Sequence, residues 1–208
     1  MNEVLYKNLK WISVVVFILF FSIMGCSSSA SKSIENTIES YYKTHLPGLK
    51  EKTQFFAQKE FEGGTLVLTE KYRGDGHAFT ELFLLGDDKK ILKVAHGGTP
   101  LSMCFTVNVI EYGGCKILFG NFNDSKWLVE PDKKVAVNIQ SILVKFKNGE
   151  QYEEKVGKGY IVYSKELSDV EVVELYDDKG KLQSDLNDLQ RYGNVFDETS
   201  FVDVEQLP

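Results

Sequence analysis

A helical pattern of apolar side chains follows residue 33 of the chain. Its members share one helical face: Ile34, Ile38, Tyr41, Tyr42 and His45. This spacing predicts an amphipathic helix whose stripe packs on the rest of the protein, and Pro47-Gly48 should end it. The residues that follow, Leu49–Phe61, predict either a second short helix or the lead-in to a strand. We therefore assign residues 34–61 to a helical segment.

Period-two alternation, which is typical of β-strands, begins at Gly64. One face of the first strand carries Leu66, Leu68 and Glu70, and the other carries Val67 and Thr69. Turns at 74–76 and 86–89 join three such strands, and Gly113-Gly114 turns a further strand back on itself. The pattern predicts an antiparallel meander over residues 62–122.

A second alternating block covers residues 123–182. Asn148-Gly149 in its middle is the strongest hairpin signal in the chain, and residues 177–180 form another turn signal. Residues 183–208 predict a short helix and an irregular tail. The expected fold class is mainly β with an N-terminal amphipathic helix, built as an antiparallel meander or β-sandwich in one or two small β subdomains.

The block from Lys116 to Leu182 resembles the Ig-like β-sandwich modules of extracytoplasmic proteins in Gram-positive bacteria. The residues that carry the resemblance are Gly120 at a strand opening, the Asn148-Gly149 hairpin and the closing strand and turn Leu175–Leu182. It implies a sandwich-like arrangement for this part of the chain, and a fold alone does not give a function.

The N-terminus contains one apolar run, Trp11–Met24, preceded by Lys7 and Lys10. The run is shorter than the about 20 apolar residues that span a bilayer, and it fits the apolar region of a signal peptide. At its end, Ile23-Met24-Gly25-Cys26 resembles the lipobox of bacterial lipoproteins. In that family the cysteine is acylated and becomes the first residue of the mature chain.

The lipobox resemblance implies that residues 1–25 are a removable signal peptide and that Cys26 carries a lipid anchor of acyl chains such as palmitate. Each buried methylene contributes about 0.8 kcal/mol to membrane binding, so two or more chains hold a protein stably. Residues 26–33, rich in serine, then predict a flexible tether. The expected location is the outer face of the cell membrane. The alternatives are an uncleaved membrane anchor or ordinary secretion.

The charge of the chain argues against nucleic-acid binding. The formal net charge is −6. The residues after 25 carry −7, because Glu3, Lys7 and Lys10 give the first 25 residues a charge of +1. A nucleic-acid footprint needs clustered Lys and Arg, and docking on anionic lipid needs the same. Membrane attachment is therefore expected through the lipid on Cys26.

Two cysteines, Cys104 and Cys115, remain once Cys26 is lipidated. They make an even pair in an oxidising compartment, which allows a disulfide. However, a hairpin centred on Gly113 places Cys104 opposite residue 122, so a direct cross-strand disulfide needs a bulge or another turn. We favour two buried thiols and leave the disulfide open.

No catalytic or metal-binding motif is present in the sequence. His45, His77 and His96 do not have zinc-site spacing, although His77 and His96 could meet on neighbouring strands. A carboxylate pair formed by Glu70 and Glu81 across the 74–76 turn is an open alternative, and charges on the solvent face of antiparallel strands are the simpler interpretation. We predict no catalytic residues, no metal and no cofactor.

An aromatic group near the middle of the chain is the candidate binding patch: Tyr112, Phe119, Phe122 and Trp127. Such side chains could form an exposed platform for a glycan, a peptide or an envelope protein. The alternative, which we favour for Trp127, is that it closes one end of the sandwich core.

The sequence thus predicts an extracytoplasmic, lipid-anchored lipoprotein that binds an unidentified ligand and is not an enzyme. Two alternatives stay open. One is a cell-envelope hydrolase whose carboxylates or histidines assemble only in three dimensions. The other is a structural assembly factor of an envelope complex, which should expose an open strand edge or a long apolar surface.

Overall fold

A computed structural model of the protein describes residues 26–49, 51–72, 78–100, 103–128, 130–191 and 196–206. The predicted signal peptide, residues 1–25, lies outside these ranges. The first element described is helix α1 (Cys26–His45). It begins at Cys26, so residues 26–33, the predicted tether, are its first turns. The helix ends at His45, and Pro47 and Gly48 form a turn after it.

Strands make up most of the described chain. They are β1 (Gln54–Phe61), β2 (Gly64–Tyr72), β3 (Ala78–Gly86), β4 (Ile91–Gly97), β5 (Asn108–Tyr112), β6 (Cys115–Asn121), β7 (Ser125–Leu128), β8 (Lys133–Ala136), β9 (Ser141–Phe146), β10 (Gln151–Lys155), β11 (Gly159–Ser164), β12 (Val170–Tyr176), β13 (Leu182–Asp185), β14 (Asp197–Glu198) and β15 (Val202–Asp203). A short helix, α2 (Leu186–Gln190), follows β13, and a 3-10 helix, Val204–Gln206, follows β15.

The strands form three sheets and one separate hairpin. The helix-side sheet has the order β1-β2-β3-β4-β15, the central sheet β11-β6-β5-β14 and the distal sheet β10-β9-β12-β13, while β7 pairs with β8. The pairings described are antiparallel, except that β14 runs parallel to β5. The expectation of a mainly β protein with antiparallel sheets is confirmed.

Three apolar cores separate four layers. The first core lies between α1 and the helix-side sheet and contains Ile34, Ile38, Tyr42, Val67, Phe83 and Val94. The second lies between the helix-side and central sheets and contains Leu66, Leu68, Leu82, Ile117, Phe119 and Ile161. The third lies between the central and distal sheets and contains Leu118, Tyr160, Val162, Ile142, Val144 and Val173.

The central sheet is covered on both of its faces. In β6, Ile117 and Phe119 face the helix-side sheet and Leu118 faces the distal sheet. A strand buried on both faces has a continuous apolar sequence in place of an alternating one. The sheet also takes strands from both predicted β blocks, since β5 and β6 lie within 62–122 and β11 lies within 123–182. The two blocks therefore share one sheet.

Two parts of the predicted layout are wrong. Residues 54–61 form strand β1 and not helix. A two-residue turn at Glu62 and Gly63, both with positive φ of 42° and 74°, pairs β1 directly with β2. The tail predicted as irregular contributes β14 and β15 to two different sheets. These strands are only two residues long, too short to produce a periodic pattern.

Burial on both faces makes the central sheet sensitive to truncation of its side chains. Phe119→Ala removes a fully buried ring, and we expect a loss of about 3–5 kcal/mol in the free energy of unfolding. Leu92→Ala is the matched control, because Leu92 on β4 is 49% exposed and should change stability by less than about 1 kcal/mol. Urea denaturation of the full chain measures both. If Phe119→Ala and Leu92→Ala lowered the free energy of unfolding by similar amounts, this result would contradict the layered arrangement.

Candidate functional site

A cleft of about 570 Å³ opens at one end of the layers, and its walls come from all three sheets or their connections. The helix-side sheet contributes the start of β1 and the end of β2, and the central sheet contributes the end of β6. The segment from Val137 to Ile139, which leads into the distal sheet, and the turn at Gly157 and Lys158 complete it. We call it the Glu70 cleft after the carboxylate in its wall. Its volume lies in the usual range for small-molecule sites.

Glu70 is a buried carboxylate in the wall of this cleft, and only 6% of the residue is exposed. Its Oε2 accepts a hydrogen bond of 2.7 Å from Asn121 Nδ2. The hydroxyl of Tyr72 also bonds to the Glu70 carboxylate, and this bond raises the pKa of Tyr72. Both of these donors are neutral, so they orient the carboxylate without cancelling its charge.

The position of Asn121 depends on its neighbour Gly120, where the backbone of β6 lies close to the backbone of Thr106. A Cβ on Gly120 would lie 2.1 Å from the carbonyl oxygen of Thr106, so this strand position requires glycine. Thr106 Oγ1 then donates to Asn121 Oδ1 at 3.2 Å. With its oxygen used by Thr106, Asn121 presents its amide hydrogens to Glu70. The sequence placed Glu70 on the face that carries Leu66 and Leu68, and those leucines do face the central sheet.

The rim of the cleft is polar and carries charges of both signs. Lys158 is exposed, and its Nζ donates to Gln54 Oε1 at 3.2 Å. Asp124 is also exposed and accepts a hydrogen bond from Ser125 Oγ at 3.0 Å. The aromatic lining comes from Phe56, Tyr72 and Phe122. The lining therefore combines apolar rings with many polar side chains, and it can hold a ligand that has both kinds of surface.

The predicted aromatic patch does not form, because its four members lie in different surroundings. Phe119 is fully buried in the second core. Tyr112 packs edge-on against Phe201, with ring centroids 5.2 Å apart. Trp127 is 44% exposed on the β7–β8 hairpin and donates to Asp132, so it does not close the core either.

Phe122 is the one member of that set that lines the Glu70 cleft. It stacks on Tyr160 with centroids 5.5 Å apart. The residues that accompany it in the cleft, Glu70, Asn121 and Tyr72, were not grouped by the sequence analysis. Their strands are distant in the chain, and only the packing of the central sheet on the helix-side sheet brings them together.

The disulfide that the sequence left open is absent, since Cys104 and Cys115 are free and buried. Cys115 lies in the second core and Cys104 in the third, on opposite sides of the central sheet. Burial raises the pKa of both thiols, which favours their unreactive protonated form.

The two strand carboxylates that might have faced each other are on opposite faces of the helix-side sheet. The register pairs Thr69 with Glu81 and Glu70 with Thr80. Glu81 therefore lies on the α1 side, where its Oε1 is 3.1 Å from His96 Nδ1. His77 is outside the described residues, so its predicted meeting with His96 is not addressed. Within the described ranges, His, Cys, Asp and Glu form no cluster that could hold a metal ion.

No protein family model, curated protein or solved structure matches this chain. Among the residues that the structure describes, no helix is both long enough and apolar enough to cross a membrane.

The contact between His96 and Glu81 predicts a measurable pH effect. The hydrogen bond that His96 donates to the Glu81 carboxylate raises the pKa of His96, so Glu81→Gln should lower that pKa, as followed by NMR titration of the ring. A raised folded-state pKa stabilises the fold at low pH, and this contribution disappears as the pH rises through that value. The stability advantage of the wild type over the variant should therefore shrink from pH 5.5 to pH 8.5.

The control for this measurement is Glu171→Gln, which removes an exposed carboxylate on β12 and should leave the His96 titration unchanged. An unaltered His96 pKa in Glu81→Gln would show that this contact does not persist in solution.

Proposed function

We propose that the protein is an extracytoplasmic lipoprotein, anchored by a lipid on Cys26, that binds a small ligand or a peptide segment in the Glu70 cleft. The observation that carries the proposal is the cleft itself, with a volume of about 570 Å³ and walls from all three sheets or their connections. Open clefts with apolar walls and a few oriented polar groups are where proteins usually bind small molecules.

The anchoring part of the proposal rests on the sequence Ile23-Met24-Gly25-Cys26, which resembles a lipobox. The body is acidic, so attraction to anionic lipid would not hold it at a membrane surface. An acyl anchor supplies that attachment through burial of its methylenes. The ligand-binding part of the chain would then lie close to the membrane to which Cys26 is attached.

A second candidate function is hydrolysis in the same cleft. It is favoured by one observation, that Glu70 and Asp124 both line the cleft, as a pair of carboxylates would in a glycosidase. Binding remains the better-supported proposal, because Glu70 is fixed by Asn121 while Asp124 is exposed and bonded to its neighbour Ser125.

The anchor makes a prediction about mass and location. The mature protein should begin at Cys26 and carry at least two acyl chains, as measured by intact-mass spectrometry. Cys26→Ala should abolish the lipid and change the distribution between membrane and soluble fractions, while Ser27→Ala should have no effect. If Cys26→Ala remains membrane-bound exactly as the wild type does, through residues 11–24, the lipobox interpretation is wrong.

The cleft makes a prediction about cross-linking in cells. A photoreactive amino acid at Asn138, which is exposed and lines the cleft, should capture a ligand. The same amino acid at Lys179, which is exposed in a turn after β12, should not. Mass spectrometry of the adducts identifies what is bound, and cell-wall fragments incubated with the purified protein report any turnover.

A variant that fills the cleft completes this experiment. Gly157 lines the cleft, and a Cβ at this position would meet nothing within 4 Å. Gly157→Trp therefore adds an indole to the cleft lining without a clash at its Cβ, and it should lower the yield of adduct at position 138. Gly48→Trp is the matched control, since Gly48 also has open space around its Cβ position. Equal amounts of adduct at position 138 in Gly157→Trp and Gly48→Trp would exclude the cleft as the binding site.

A further inference from the structure

Among the described residues, Glu70 differs from other acidic and basic side chains of the interior. Buried Lys71 pairs with Glu39 at 3.4 Å, and partly buried Asp188 pairs with Lys126 at 2.5 Å. Across the described ranges, by contrast, no Lys, Arg or His lies within ion-pair distance of Glu70. Buried charges in proteins are normally paired, because an isolated one is expensive to remove from water.

Glu70 faces the cleft and not a closed core, since it is part of the cleft lining. Its two donors among the described residues, Asn121 and Tyr72, are both neutral. The described residues of the lining include one cation, Lys158, which is exposed on the rim and bonded to Gln54. Among the described groups, the negative charge of Glu70 is therefore left for a positively charged ligand to balance.

We propose that the Glu70 cleft binds a ligand that carries a primary ammonium group, such as a lysine side chain, with Glu70 as its counter-ion. This inference rests on the proposed binding function and assigns the chemical class of the ligand. The acidic body, which carries −7 after residue 25, attracts cations toward the site and raises their rate of encounter.

The rest of the lining suits an ammonium on an aliphatic stem. Asn123 uses its Nδ2 to donate to the carbonyl oxygens of Pro100 and Met103, so the atom it retains for a ligand is the acceptor Oδ1. An ammonium has three donors and no acceptor. The rings of Phe56 and Phe122 can cover the methylene stem and attract the charge through their faces.

The geometry around Glu70 favours ammonium over guanidinium. A guanidinium binds a carboxylate best through two parallel hydrogen bonds, one to each oxygen. Oε2 of Glu70 already accepts from Asn121 at 2.7 Å, which obstructs that two-point contact. The bond from Tyr72 occupies a further position on the same carboxylate. A compact ammonium needs only one remaining acceptor position.

The test compares peptides that differ in one charge. N-acetylated and C-amidated Ala-Lys-Ala is titrated into the full-length lipidated protein in detergent, followed by calorimetry, alongside the same peptide acetylated on the lysine Nε and the Ala-Arg-Ala analogue. We expect the Nε-acetylated peptide to bind about tenfold or more weakly, and the arginine peptide to bind more weakly than the lysine peptide. Equal binding of the charged and acetylated peptides would overturn the inference.

Variants identify the counter-ion. Glu70→Gln, which keeps the shape of the side chain, should weaken binding of the lysine peptide by about tenfold or more while leaving the acetylated peptide unaffected. Glu171→Gln, an exposed carboxylate elsewhere, should change neither. Thermal unfolding checks that Glu70→Gln is folded. If it is not folded, Gly157→Trp, which adds an indole to the cleft lining, must weaken binding of the lysine peptide for the inference to stand.

The outcome also separates this inference from the proposed function. If position 138 captures a ligand in cells but no peptide with a free ammonium binds, the cleft is a binding site and the assigned class is wrong. If a neutral glycan binds and Glu70→Gln does not change its affinity, the assignment of an ammonium ligand is likewise wrong. If neither adduct nor peptide binding is found, both proposals fail.

Discussion

The burial of the central sheet on both faces is the constraint from which the rest of the structure follows. Every side chain of β6 from Ile117 to Phe119 must enter one of two apolar cores, so the strand tolerates polar residues only where the cores end. Asn121 stands at that end and is itself buried. A buried amide has to be hydrogen-bonded, and its partners, Thr106 and Glu70, come from two different segments of the chain. The cleft is thus built where the apolar layers stop and the polar groups that terminate them must pair.

The amount that could be predicted from the sequence depends on how far apart the interacting residues lie. The face of β2 that carries Leu66 and Leu68 was predicted, because alternation is a local property. The Asn148-Gly149 hairpin between β9 and β10 was predicted for the same reason. By contrast, the sequence of β1 does not alternate strictly between apolar and polar residues, so the pattern over Leu49–Phe61 is compatible with a short helix as well as with the lead-in to a strand.

The candidate site was less predictable than the fold. Its central pair, Glu70 and Asn121, is 51 positions apart in sequence, and neither residue belongs to a motif. The predicted patch failed because proximity in sequence does not give proximity in space along a buried strand. Phe119 and Phe122 are only three residues apart, yet one is in a core and the other lines the cleft. The stacking of two sheets decides such placements, and a single sequence contains no local signal for it.

Adjacent residues on β2 show how the two faces of one strand came to have different roles. Lys71 points toward α1, where Glu39, Thr53 and the ring of Tyr42 surround its ammonium. Its charge is satisfied within the fold and holds the helix on the sheet. Glu70 points the other way, into a cleft where the partners supplied by the described residues are neutral. Both side chains are buried on the same strand, so the difference does not come from their depth. It comes from what each side chain meets. Lys71 meets a carboxylate on α1, whereas Glu70 lies where the packing of the two sheets ends at the cleft, and there a ligand can complete the pair.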